Sequence, residues 1–111
     1  MENIINEFRG KNGRGAVECF DREVCNHCFS HSLAMSHRSH PYHAEPYLLN
    51  GWGEAVALGY FNGDFYGTLR ELIYDVIDKS ELHRNILLNC NTIAFGIFTS
   101  NHRMYLTIRG K

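Results

Sequence analysis

The first chemical signal in this chain is its histidines: seven in 111 residues, with His27, His31, His37, His40 and His43 in one stretch and His83 and His102 later. His27 and His31 stand four apart, which puts both on one face of a helix at metal-ligand spacing. The residues between them are Cys28, Phe29 and Ser30, so the glutamate of a zinc-protease helix is missing. The plainer reading is a half-buried His31 with a hydrogen bond and a surface His27. His37, His40 and His43 follow at three-residue steps, but Pro41 prevents one continuous helix. They could form a loose, flexible metal-binding loop, and a solvated loop is the plainer reading for His37 and His40. Glu54 is different. It lies in Gly51-Trp52-Gly53-Glu54-Ala55-Val56-Ala57, where glycines allow close backbone approach and small residues follow the acid. His83, in Ser80-Glu81-Leu82-His83-Arg84, stands on polar ground before an apolar run, with Ser80 able to cap a short turn.

The elements that must hold these residues are readable in part. Ile4, Ile5 and Phe8 have helical spacing, and the glycines at 10, 13 and 15 are expected to stop that helix. Asp21 is the expected N-cap of a second helix. Val24, Cys25, Cys28, His31, Ser32 and Met35 recur along it at three- and four-residue steps, and it ends before Pro41, its small residues packed on a sheet. Leu69, Leu72, Ile73, Val76 and Ile77 predict a third helix capped by Gly67 or Thr68. Asn91 to Thr99 reads as a buried strand. Ser100 to Arg103 is turn-like. Met104 to Arg109 alternates, with Tyr105, Thr107 and Arg109 on one face, so the two strands form an antiparallel hairpin.

A length of 111 residues predicts one domain over 1–111, and 44% hydrophobic residues place it among globular chains. A net charge of −1 gives no electrostatic reason to bind nucleic acid or an anionic membrane. No apolar run is long enough for a transmembrane span. The start lacks the pattern of a signal peptide, so the chain is either cytosolic or a mature region. Cys19, Cys25, Cys28 and Cys90 would allow three disulfide pairings. Small buried thiols are the leading reading, with a disulfide or a metal knuckle as alternatives.

Taken in order, these segments resemble the short bacterial members of the CAP superfamily, the cysteine-rich secretory, antigen 5 and pathogenesis-related proteins. Asn6-Glu7-Phe8-Arg9 with Gly13 resembles their opening N-x-x-R helix, and Val24-Cys25, Cys28, His31-Ser32 and Met35 their second helix. Gly53-Glu54-Ala55-Val56-Ala57 resembles G-E-N-[IV]-A, with Ala55 in place of the asparagine. Ser80-x-x-His83-Arg84 through Leu88-Asn89-x-Asn91 and Gly96 resembles S-P-G-H-R-x-N-I-L-N-P, and Arg103 to Thr107 the closing strand. The tryptophan usual six residues before the second cleft histidine is Ile77 here.

The resemblance implies an α/β protein, an α-β-α sandwich with a C-terminal hairpin and an open cleft where His43, Glu54 and His83 converge. Two imidazoles and a carboxylate would suit Zn²⁺ with water in the fourth position. Asp78 or Glu81 is the nearest candidate for a second cleft acid. The leading expectation is a non-enzymatic, exported binding protein for an unknown protein or small molecule, its cleft able to hold a divalent metal. The alternatives are a weak metal-dependent hydrolase of peptide or ester bonds, and an interaction module with idle cleft histidines.

Overall fold

The structure is a computed structural model that describes residues 2–17 and 21–111. Its elements are α1 (Glu2–Lys11), α2 (Arg22–Arg38), α3 (Pro46–Leu49), β1 (Gly53–Tyr60), α4 (Phe65–Glu71), a π-helical segment (Leu72–Ile77), α5 (Glu81–Asn89), β2 (Ile93–Ser100) and β3 (Arg103–Gly110). The three strands form an antiparallel sheet in the order β1-β3-β2. Helix α2 covers one face through β2 and β3, while α4, the π segment and α5 cover the other, with α1 on α5. This is the expected sandwich.

β3 is the middle strand, and its alternation divides the interior. Met104, Leu106 and Ile108 point into the main core with Ile4, Ile5, Phe8, Leu69, Leu72, Ile73, Ile77 and Leu87. Tyr105, Thr107 and Arg109 point towards α2, where Ser32 Oγ lies 2.8 Å from Thr107 Oγ1 and donates to the Gly96 carbonyl at 2.9 Å. The helix comes so close here that a Cβ on Gly96 would lie 2.1 Å from the Phe29 nitrogen. A glycine at that position is what lets α2 rest directly on β2.

Asp21 caps α2 as expected, its Oδ1 accepting from the Val24 N–H at 3.1 Å. The hairpin also forms as expected. Asn101 and His102 both take positive φ, 52° and 62°, the geometry of a two-residue turn that matches strand twist. Other boundaries differ. α1 runs through Gly10 to Lys11, and Gly13, at φ 76°, follows its end. The third helix starts at Phe65 rather than near Thr68, because Asp64 Oδ1 accepts from the Gly67 N–H at 2.9 Å. It then widens, with the Asp78 N–H reaching back to the Ile73 carbonyl at 3.0 Å. Ser80 starts a nine-residue helix instead of a short turn.

The opening motif is structural. Asn6 Oδ1 accepts from the Val17 N–H at 2.9 Å. Arg9 donates to the carbonyls of Gly15, Leu87 and Cys90, tying α1 to the end of α5. Cys25, Cys28 and Cys90 are free thiols, and burial pushes Cys28 up to about 12. Cys19 lies outside the described residues.

Candidate functional site

The site is built where β1 begins and β3 ends. Glu54 is the second residue of β1 and pairs in register with Arg109 of β3. Both side chains face α2 and are buried, at 1% and 6% exposure. Arg109 Nε and Nη2 each lie 3.0 Å from Glu54 Oε2. Glu54 Oε1 accepts from the Ala44 N–H at 2.9 Å and meets His43 Nδ1 at 3.0 Å. A carboxylate oxygen has no proton to give, so Nδ1 carries the hydrogen in this contact. In the neutral ring Nε2 then bears the lone pair.

The loop that carries His43 is fixed from both sides. His31 Nε2 lies 2.6 Å from the Tyr42 carbonyl oxygen, and the His31 and Tyr42 rings meet edge to face at 5.1 Å. Pro46 opens α3 immediately after, setting the turn that returns the chain towards β1. His31 is therefore half-buried and hydrogen-bonded, and His27 is exposed. His37 is exposed in the last turn of α2 rather than in the expected loop, and His40 is exposed with Nδ1 2.8 Å from the Arg38 carbonyl.

His83, in the first turn of α5, completes the group. Its ring centroid is 5.8 Å from that of His43, with the planes at 61°. Burial, and secondarily the charge of His43, push its imidazole below the usual value. His43 itself is open to solvent at 54%.

The structure thus brings His43 against both Glu54 and His83. It does not arrange the three as a ready ligand set: among the described residues no group of three His, Cys, Asp or Glu side chains is placed to hold a metal ion. The donor chemistry gives the reason. Both Glu54 oxygens already accept from Arg109, Ala44 and His43, so a metal would have to compete with a buried ion pair. What fits a divalent cation is the pair of imidazoles, with Glu54 behind His43 holding its tautomer, as carboxylates do behind metal-binding histidines. Asp78 and Glu81 make no ion pair among the described residues, and Glu81 is exposed.

The group that the sequence reading missed is Arg109. Its alternation with Tyr105 and Thr107 was the available signal: an arginine on an inward face needs a buried anion. Two cavities, of about 340 and 420 Å³, open onto Arg109 between α2 and α3, both lined also by His27 and Leu48.

No family model and no curated protein matches the sequence. Among solved structures, an extracellular protein containing an SCP domain from Bacillus anthracis str. Ames is similar over 100% of this chain, at TM-score 0.61 and 20% identity. A cysteine-rich secretory protein from Staphylococcus aureus subsp. aureus Mu50 aligns over 99% of this chain at TM-score 0.46 and 14% identity. The chain spans 40% of the length of the Bacillus anthracis protein. The resemblance to the CAP superfamily is shown at the level of fold: this chain has the fold of an SCP domain.

Proposed function

We propose that this SCP-fold chain is a binding protein whose working surface is the cleft around His43, Glu54 and His83, and that the cleft holds a divalent cation, Zn²⁺ in the first instance. The observation that carries the reading is His43 placed between a buried carboxylate at 3.0 Å and a second imidazole at 5.8 Å between ring centroids. His43 and His83 are the ligands, and Glu54 orients His43 while neutralising Arg109. Bound there, the cation supplies a Lewis-acidic point with open positions for a ligand's oxygen or nitrogen.

Calorimetric titration of metal-stripped protein with Zn²⁺ tests this. One-to-one binding is expected, weakened at least about tenfold by His43→Ala and by His83→Ala, or about 1.4 kcal/mol each. Asp78→Asn and Glu81→Gln leave it unchanged. Binding indifferent to both histidine variants overturns the reading.

We propose that the chain works outside the cytosol, a reading supported by its likeness to an extracellular protein of Bacillus anthracis. No helix among the described residues is long and apolar enough to cross a membrane. Expression from the native gene in its own host, followed by fractionation, tests this. Recovery in the medium or envelope supports it, and recovery in the cytosol alone contradicts it.

A further inference from the structure

At the opposite end of β3 lies another cavity, a polar one of about 260 Å³, lined by Ser36, Ser39, Ser100, Asn101, Arg103 and Tyr105. It lies between the end of α2 and the β2–β3 turn and opens to solvent. Three features make it unlike a chance surface hollow. Tyr105, of which only 2% is exposed, lines this cavity, and its hydroxyl makes no hydrogen bond. Arg103 also lines it and donates from Nη1 to the Ser39 carbonyl at 3.3 Å, which leaves Nε and Nη2 as unused donors. No carboxylate lines the cavity, and Arg103 makes no ion pair among the described residues.

The backbone holds these donors in place. Ser39 is the left-handed cap of α2, at φ 59°, its N–H bonded to the Ser36 carbonyl. Ser100 and Arg103 are the paired residues that close the hairpin, directly before and after the turn at Asn101 and His102. The turn and the cap therefore face each other across the cavity with fixed geometry. The residues that line the cavity carry a guanidinium, a phenol, the Ser100 hydroxyl and the Asn101 amide, all groups able to donate hydrogens. Guanidinium forks match oxyanions with two parallel bonds, and hydroxyl and amide donors complete such sites.

We propose that this cavity is a binding site for a tetrahedral oxyanion, phosphate or sulfate, free or as an ester on a larger molecule. Arg103 supplies the charge and the two-pronged contact, and Tyr105 supplies a donor from the floor. The site is independent of the His43 cleft, because Arg103 and Arg109 lie at opposite ends of the strand.

The test is a titration of the intact chain with inorganic phosphate, sulfate and glucose 6-phosphate, followed by amide NMR. Saturable shifts are expected at Ser39, Ser100, Asn101 and Arg103. Arg103→Gln weakens the binding at least about tenfold, the loss of a bidentate charge-assisted contact. Tyr105→Phe, which keeps the ring, weakens it by a smaller factor, and His43→Ala leaves it unchanged. Tighter binding of the sugar phosphate than of the free ions assigns the site to an ester-borne group, and equal binding assigns it to the free ion. The proposal is overturned if no anion saturates these amides, if acetate matches phosphate, or if the response survives Arg103→Gln in a variant whose spectrum shows it folded.

Discussion

Arg103 and Arg109 stand on the same face of β3, roughly 20 Å apart along the strand. At the Arg109 end the cross-strand partner is Glu54, both groups are buried, and the charge is cancelled inside the protein. At the Arg103 end the partners across the sheet are Tyr60 and Ser100, neither an acid, and the guanidinium is exposed. The comparison teaches how one strand can use arginine in two ways. A buried guanidinium must find its anion within the fold, whereas an exposed one is free to take its anion from solution.

The sharpest way to break the comparison is to unpair the buried end. Glu54→Gln keeps the shape of the side chain but leaves Arg109 uncompensated, so a destabilisation of about 3–5 kcal/mol is expected. Urea denaturation measures it. The double variant Glu54→Leu, Arg109→Met should recover much of the loss, because two apolar side chains leave no orphan charge. If each single change cost under about 1 kcal/mol, the pair would be behaving like a surface salt bridge.

Both ends depend on the seat of α2 between them. Gly96→Ala would drive a methyl into the Phe29 backbone, and a loss of about 1–3 kcal/mol or more is expected, visible as a lowered Tm. Equal stability of this variant would mean that α2 can shift, and neither site would then be rigidly framed.

A second arginine–carboxylate pair calibrates the first. Glu7 accepts from Arg70 Nη1 and Nη2 at 2.8 and 2.7 Å, and also from Tyr74 Oη at 3.0 Å. These contacts, Arg70 first and then Lys11 and Tyr74, hold its carboxyl down to about 2 from an ordinary 4.5. A carboxyl lowered in the folded state stabilises above its unfolded value and loses that contribution as pH falls through the folded one. The stability gap between wild type and Glu7→Gln should therefore narrow between pH 4.5 and pH 2, read from urea midpoints. Being exposed to solvent, this pair should matter less at neutral pH than Glu54 with Arg109. The smallest effect belongs to Arg103→Gln, expected within about 0.5 kcal/mol of wild type. A large loss there would make Arg103 a structural residue and would erase the contrast.

Much of this was legible in the sequence where local chemistry decides. Asp21 caps its helix and the hairpin closes at the turn residues, whereas His43, Glu54 and His83 were named as a group only through the CAP resemblance, and the structure sets His43 beside the other two. The strand Gly53–Tyr60 was not legible, because Gly-Glu-Ala-Val-Ala-Leu-Gly has weak strand propensity and is extended by pairing with β3. The true start of α4 was hidden because the apolar period begins at Leu69, a turn after the Asp64 cap. Arg109 was missed as a site residue because its partner is 55 positions away, a separation that only the register of β1 on β3 brings into contact.

The most direct test of the central claim is a long-range ¹H–¹⁵N spectrum of the histidine rings, recorded before and after one equivalent of Zn²⁺. Before metal, His43 should show hydrogen on Nδ1 and a bare Nε2, the tautomer that Glu54 selects. With metal, Nε2 of His43 and one ring nitrogen of His83 should move together while the other histidines stay in place. A His43 ring with its hydrogen on Nε2, or a metal response confined to other histidines, would contradict the account.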